Sequence, residues 1–264
     1  MKSAELSDQS EKIKACAVSY LNTVPLVWGM LHGNQRERFD LTFGVPAQTA
    51  EALKTGTADI GILSTIELPR QNLKHVPGLG IVSRGGVRSI FLIANRPIGE
   101  LRTLAADASS RTSVALCSII LKRRFSVEPE VISAPPDLTG MLRLADAALI
   151  IGDPALRLDP NALPHEVYDL GHEWTEMTGL PMVYAVWAVR NDASSAALGN
   201  SLLDSYRYGR DHIDDIVEAE AGRRGFTKPL ARKYLTEHLA FEVGPDEERG
   251  MELYLKYASE LNLI

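Results

Sequence analysis

Thr103-Leu-Ala-Ala-Asp107-Ala-Ser-Ser-Arg111-Thr-Ser-Val-Ala-Leu116 reads as a short apolar strand, a hydroxyl-rich turn and the start of an apolar helix. Ser109, Ser110, Thr112 and Ser113 gather where the first helical turn leaves its backbone N–H groups without intrahelical partners. A helix start carries partial positive charge, and Arg111 adds a full charge on a planar fork, so the segment suits a carboxylate or phosphate. An ordinary N-cap with extra serines accounts for the same residues. What separates the two readings is whether similar segments recur.

They do. Working outward, residues 13–18, 39–45 and 59–63 read as strands, with helices at 22–31, 46–54 and 65–72; Pro25 falls in a first turn and Gly56 ends the second helix. Residues 76–83 and 87–95 read as two further strands across an Arg84-Gly85-Gly86 turn. Asn95-Arg-Pro-Ile-Gly99 breaks the pattern, and a second series follows with strands at 103–106, 130–133, 147–151, 167–169 and 182–189. Its helices lie at 111–122, 137–144 and from Gly171, and from Asp192 the chain reads as helical, at 192–220, 229–239 and 246–261. Strands alternating with helices indicate a mainly parallel sheet covered on both faces. Two such series predict an α/β, two-lobed chain of the type II periplasmic-binding-protein kind, with a ligand cleft between the lobes. The expected division is 13–96 with 190–264 as one lobe and 97–189 as the other, crossing near 96–102 and 189–192, after a flexible lead-in over 1–12.

Composition narrows the function. The 264 residues are 45% hydrophobic, 23% charged and 6% aromatic, as in a globular protein, with a formal net charge of −6. That charge, without a basic run, argues against nucleic acid as a partner. No apolar run approaches the roughly 20 residues a bilayer requires, so no membrane partner is expected. The polar first ten residues lack the pattern of a secretion signal, and Cys16 and Cys117 read as small buried hydrophobes in a reducing compartment. The expected location is cytoplasmic. The six histidines fit no metal-ligand spacing, and no glycine-rich nucleotide loop or Gly-x-Ser-x-Gly elbow occurs, so neither metal nor cofactor is expected.

Five segments end a predicted strand with small polar residues before a helix or turn: Ser19-Tyr20-Leu21-Asn22-Thr23, Ser64-Thr65, Arg88-Ser89, Ser109 to Ser113, and Gly152-Asp153. Each alone is explained by helix capping, but in an open α/β sheet all five converge on the crevice. Their hydroxyls, amide and helix starts, with Arg88 or Arg111 nearby, suit one or two carboxylates on a small molecule. Asp153 either faces the cleft or caps its own turn, and Glu67 either faces solvent or pairs with Arg70.

Val18-Ser-Tyr-Leu-Asn-Thr-Val-Pro-Leu26, Gly86-Val-Arg-Ser-Ile90, the segment from Arg102 to Val114, Leu149-Ile-Ile-Gly-Asp-Pro-Ala-Leu156 and Glu173-Trp-Thr-Glu-Met-Thr-Gly-Leu-Pro181 together resemble the chorismate dehydratases of the futalosine route to menaquinone, over about residues 13–260. The resemblance implies dehydration of chorismate, a small dicarboxylate, to 3-[(1-carboxyvinyl)oxy]benzoate without cofactor. On that reading Asn22 and Ser89 are catalytic, and Ser19, Tyr20, Ser64, Thr65, Arg88, Ser110, Arg111, Thr112 and Asp153 bind substrate. Asn22 and Ser89 orient the C4 hydroxyl or the side-chain carboxylate, while Ser110, Arg111 and Thr112 hold the other carboxylate. Two rivals share the fold: a solute-binding protein for a small carboxylate, and the enzyme that cleaves cyclic dehypoxanthine futalosine, whose first loop has a Pro-Asn-Asp character instead of Ser19 to Thr23. One departure is Val24, where the family commonly carries arginine; Arg88 or Arg111 is then expected to compensate.

Overall fold

The computed structural model describes residues 12–107, 111–190 and 195–264. The first of its two mixed sheets contains β1 (Ile13–Val18), β2 (Phe39–Gly44), β3 (Ile60–Ser64), β4 (Lys74–Ser83), β10 (Met182–Val189) and β11 (Ala240–Glu242), in the order β11-β4-β10-β3-β1-β2. The second contains β5 (Ile90–Ala94), β6 (Thr103–Ala106), β7 (Glu130–Ser133), β8 (Ala147–Ile151) and β9 (Glu166–Asp169), in the order β7-β6-β8-β5-β9. Each sheet has one strand threaded antiparallel between two others, β10 between β3 and β4, and β5 between β8 and β9. These threaded strands are buried along their whole length on both faces. That burial is why Ile-Phe-Leu-Ile-Ala and Met-Val-Tyr-Ala-Val-Trp-Ala-Val are near-continuous apolar runs rather than alternating ones.

The threading corrects two expectations. The strands flanking Arg84-Gly85-Gly86 do not form a hairpin: β4 lies in the first sheet and β5 in the second. Residues 84–89 instead carry the chain across, held by Asp169, whose Oδ1 and Oδ2 accept from the Val87 and Arg88 N–H groups at 2.9 and 2.7 Å. The return comes before Met182, because β10 pairs with β3 and β4. The crossovers therefore lie upstream of both expected positions. Local alternation cannot reveal them, since a threaded antiparallel strand looks like any other apolar run.

Helices α1 (Val24–His32), α2 (Pro46–Thr55) and α3 (Glu67–Gln71) belong to the first sheet, and α4 (Arg111–Phe125), α5 (Leu138–Leu144), α6 (Gly152–Leu156) and α7 (Leu170–Thr178) to the second. The tail forms α8 (Ser195–Asp211), α9 (Ile213–Glu220), α10 (Lys228–Lys233), a π turn over Tyr234–His238 and α11 (Pro245–Glu260). Helix α8 packs so closely on α1 that a Cβ on Gly29 would sit 2.5 Å from the Ser205 Cα. Leu26 and Val27 of α1 are fully buried there, and truncating such a leucine costs about 2–5 kcal/mol. Helix α11 contacts β10 of the first sheet and α4 of the second, so the tail spans both lobes.

Candidate active site

Strand ends and helix starts from both lobes face one cleft. Tyr20 and Asn22 come from the turn after β1, Ser64 from the end of β3, Ser89 from the first crossover, Thr112 and Ser113 from the start of α4, and Tyr184 from β10. Val18, Ile81, Val87, Ile90 and Ile151 supply the apolar walls. Local backbone chemistry sets these positions. Gly152, at φ +63, lies under the Tyr20 ring, and a Cβ there would sit 2.9 Å from the ring, so only glycine lets the lobes meet. Its N–H donates to the Ser89 carbonyl at 2.8 Å, fixing the strand end that presents the serine.

The donors are uncharged but directional. The Ser83 hydroxyl donates to the Gly85 carbonyl at 3.0 Å, so the Tyr184 hydroxyl, 2.9 Å away, donates to Ser83 and offers the cleft lone pairs only. On the other wall, Tyr234 is buried and its hydroxyl donates to Ser89 Oγ at 2.8 Å. Burial pushes both phenols above their ordinary pKa, so both stay protonated at neutral pH. The first turn of α4, where Thr112 and Ser113 stand, adds the partial positive charge of a 15-residue helix.

Tyr20, Asn22, Ser64, Ser89 and Thr112 thus line one cleft, as the converging strand ends required. The others stand elsewhere. Ser19 is exposed on the far side of its turn, where its carbonyl accepts from Arg224 at 2.6 Å. Thr65 is fully buried and spends its hydroxyl on the Val183 carbonyl at 2.8 Å. Ser110, like Ser109 and the lead-in up to residue 11, lies outside the described residues.

Neither arginine is among the residues lining the cleft. Arg88 sits at φ +66, and its guanidinium reaches the Ala155 carbonyl at 3.4 Å and the Leu158 carbonyl at 2.5 Å, 5.3 Å from the Phe91 ring centroid. Arg111 pairs with Glu67 at 2.8 Å. Glu67 is buried rather than solvent-facing, and it does pair with Arg70, at 3.4 Å; burial alone would raise its pKa, but hydrogen bonds from Arg111 and Gln71 outweigh it and hold the carboxyl below its usual range. Arg111 stands beside Ser64 and Pro46 at the edge of the cleft, and Val24 is itself buried in α1.

Asp153 is committed on both oxygens. Oδ1 accepts from the Leu21 N–H at 3.0 Å and Oδ2 from Arg224 Nη1 at 2.7 Å. Arg224 also donates through Nε to Glu220 at 2.7 Å. The aspartate therefore ties the second lobe to the turn carrying Asn22, and it is not among the residues lining the cleft. Arg224 and Tyr234 escaped the sequence reading because both lie in the helical tail, where nothing local marks them. Tyr184 carried a signal, being the one hydroxyl in an otherwise apolar strand. Among the described residues, no group of three or more His, Cys, Asp or Glu is placed to hold a metal ion, and no helix is long and apolar enough to cross a membrane.

A family profile described as menaquinone biosynthesis matches residues 13–260. A chorismate dehydratase of Thermus thermophilus is 31% identical over 234 residues, covering 82% of this chain and 84% of its own. Among solved structures, a protein from Archaeoglobus fulgidus superposes with a TM-score of 0.77 at 15% identity, covering 98% of this chain and 100% of that one. The periplasmic aliphatic sulphonate binding protein of Escherichia coli superposes with a TM-score of 0.66 at 15% identity, covering 97% and 89%. These two likenesses speak to the fold alone: a two-lobed, periplasmic-binding-protein-like architecture.

Proposed function

Because the chain belongs to the menaquinone-biosynthesis family, we propose that it is a hydro-lyase that converts chorismate to 3-[(1-carboxyvinyl)oxy]benzoate and water. The observation that carries this reading is a cleft with apolar walls and neutral, oriented donors drawn from both lobes: Asn22 and Ser89 on one side, and Thr112 and Ser113 at a helix start on the other. Chorismate is a dicarboxylate with one ring hydroxyl, and its ring carboxylate suits the start of α4, with the Ser64 hydroxyl nearby. Asn22 and Ser89 then meet the C4 hydroxyl.

The hydrogen at C3 is vinylogous to the ring carboxylate, so the electron pair left by its removal spreads toward that carboxylate. Donors already aimed there stabilise the developing charge without reorganising. The C4–O bond breaks as the ring becomes aromatic, and the C3 proton and C4 hydroxide leave as water. Among the described residues lining the cleft there is no carboxylate or imidazole, and Asp153 is engaged by Leu21 and Arg224. The substrate's own enolpyruvyl carboxylate, held next to C3, is accordingly the base, and the protein supplies position and donors. A cytoplasmic location is part of the same reading, in keeping with two buried, unpaired cysteines.

Incubating the protein with chorismate and following the aromatic product by absorbance and mass tests the reading. Product and chorismate loss are expected in equal amounts; saturable binding of chorismate that is recovered unchanged would favour a solute-binding protein instead. Asn22→Ala should lower kcat about 100-fold with KM changed only a few fold, since it removes a donor used in the transition state. Wild-type turnover in that variant removes Asn22 from the chemistry.

A further inference from the structure

Two hydrogen-bonded side-chain pairs stand at the cleft: Thr23 with Asn22, and Tyr234 with Ser89, 145 residues apart. Thr23 Oγ1 donates to Asn22 Oδ1 at 3.3 Å. That contact leaves the amide nitrogen of Asn22 as its donor. Tyr234 has a single proton, and it goes to Ser89 Oγ at 2.8 Å. With Oγ already accepting from behind, the proton of Ser89 is left to point forward into the cleft. The role of the Ser89 hydroxyl thus follows from its neighbour's.

The helix that supplies Tyr234 is built to hold this position. Tyr234–His238 is a π turn, a wide turn that recurs at functional sites. Both its ends are fastened to the first crossover: Tyr234 to Ser89, and His238, whose Nδ1 donates to the Gly86 carbonyl at 3.1 Å. Tyr234 is itself 1% exposed and does not line the cleft.

We propose that Tyr234 is a positioning residue whose hydroxyl fixes the orientation of the Ser89 hydroxyl, so that Ser89 meets the ligand as a donor. Its catalytic consequence rests on the dehydratase reading; its effect on ligand affinity does not.

The test is a double-mutant cycle of wild type, Tyr234→Phe, Ser89→Ala and the double variant, with kcat and KM for chorismate and calorimetric Kd for chorismate measured on all four. Phenylalanine keeps the ring and its packing, and the thermal midpoint of each variant is recorded to show that it folds. Tyr234→Phe should lower kcat about 10- to 100-fold with KM within about threefold, and the double variant should match Ser89→Ala within about twofold. Losses that multiply between the two sites, or a fall in kcat that only follows the thermal midpoint, overturn the proposal. If the wild type binds chorismate without converting it, the dehydratase reading fails. The proposal then stands or falls on whether the Kd effects of the two substitutions fail to multiply. If it neither binds nor converts chorismate, both are wrong.

Discussion

Two ion pairs bridge the lobes on either side of the cleft, and they differ in how they are built. Asp153–Arg224 is enclosed, with side chains 10% and 14% exposed, and each partner is held again: the carboxylate by the Leu21 N–H, the guanidinium by Glu220 and the Ser19 carbonyl. In Glu67–Arg111 the carboxylate is buried, but the arginine is 47% exposed. A charge removed from water depends on its partner, whereas one left half in water keeps its hydration and is screened by salt. The first pair is therefore a structural joint between the lobes. The second is a weaker tie beside the start of α4.

Removing the enclosed carboxylate should do the most damage. Asp153→Ala strands Arg224 and frees the Leu21 N–H, and is expected to cost about 3 kcal/mol in denaturant unfolding. Turnover should fall with it, because the turn bearing Asn22 loses its anchor. A loss below about 1 kcal/mol would erase the contrast between the two joints.

Glu67→Gln should cost about 1 kcal/mol at pH 7, and its effect should depend on acid. The Glu67 carboxyl is held below its ordinary value of 4.5 in the folded chain. Its contribution is therefore complete above about pH 4.5 and disappears as the pH falls through the lower, folded-state value. Stability curves of wild type and Glu67→Gln should accordingly be separated at pH 7 and converge in acid; a constant gap would mean that the ion pair contributes nothing. Weakest of all should be Arg123→Ala, which removes a partly exposed contact from α4 to Glu260 of α11 and to the Tyr257 ring. A change within about 0.5–1 kcal/mol is expected, measured as the denaturant midpoint.

The same contrast explains what the sequence made legible. The five polar strand ends were readable because open α/β sheets bring such ends to one crevice, and Tyr20, Asn22, Ser64, Ser89 and Thr112 meet there. Backbone pattern locates a strand end but not the direction of a long side chain. Arg88 was turned away by its left-handed backbone, and Arg111 was claimed by a glutamate 44 residues upstream. Asp153 was settled by Arg224, 71 residues downstream, and Ser89 by Tyr234, 145 residues downstream. Partners so remote leave no trace in local spacing. The crossover positions were missed for a related reason, since the pairing of β10 with β3 and β4 links distant parts of the chain.

Ser83, the last residue of β4, is the direct cross-strand partner of Met182, the first of β10. Topologically, residues 84–181 thus stand where two or three residues would suffice to close an antiparallel pair. All five strands of the second sheet lie inside that span, while the first sheet is assembled from both flanks. One lobe is a continuous insert and the other its interrupted host. An excision that joins Ser83 to Met182 through a tight loop preserves every strand of the host, but any cut that discards the chain after Ser83 removes β10 and opens a gap in its middle.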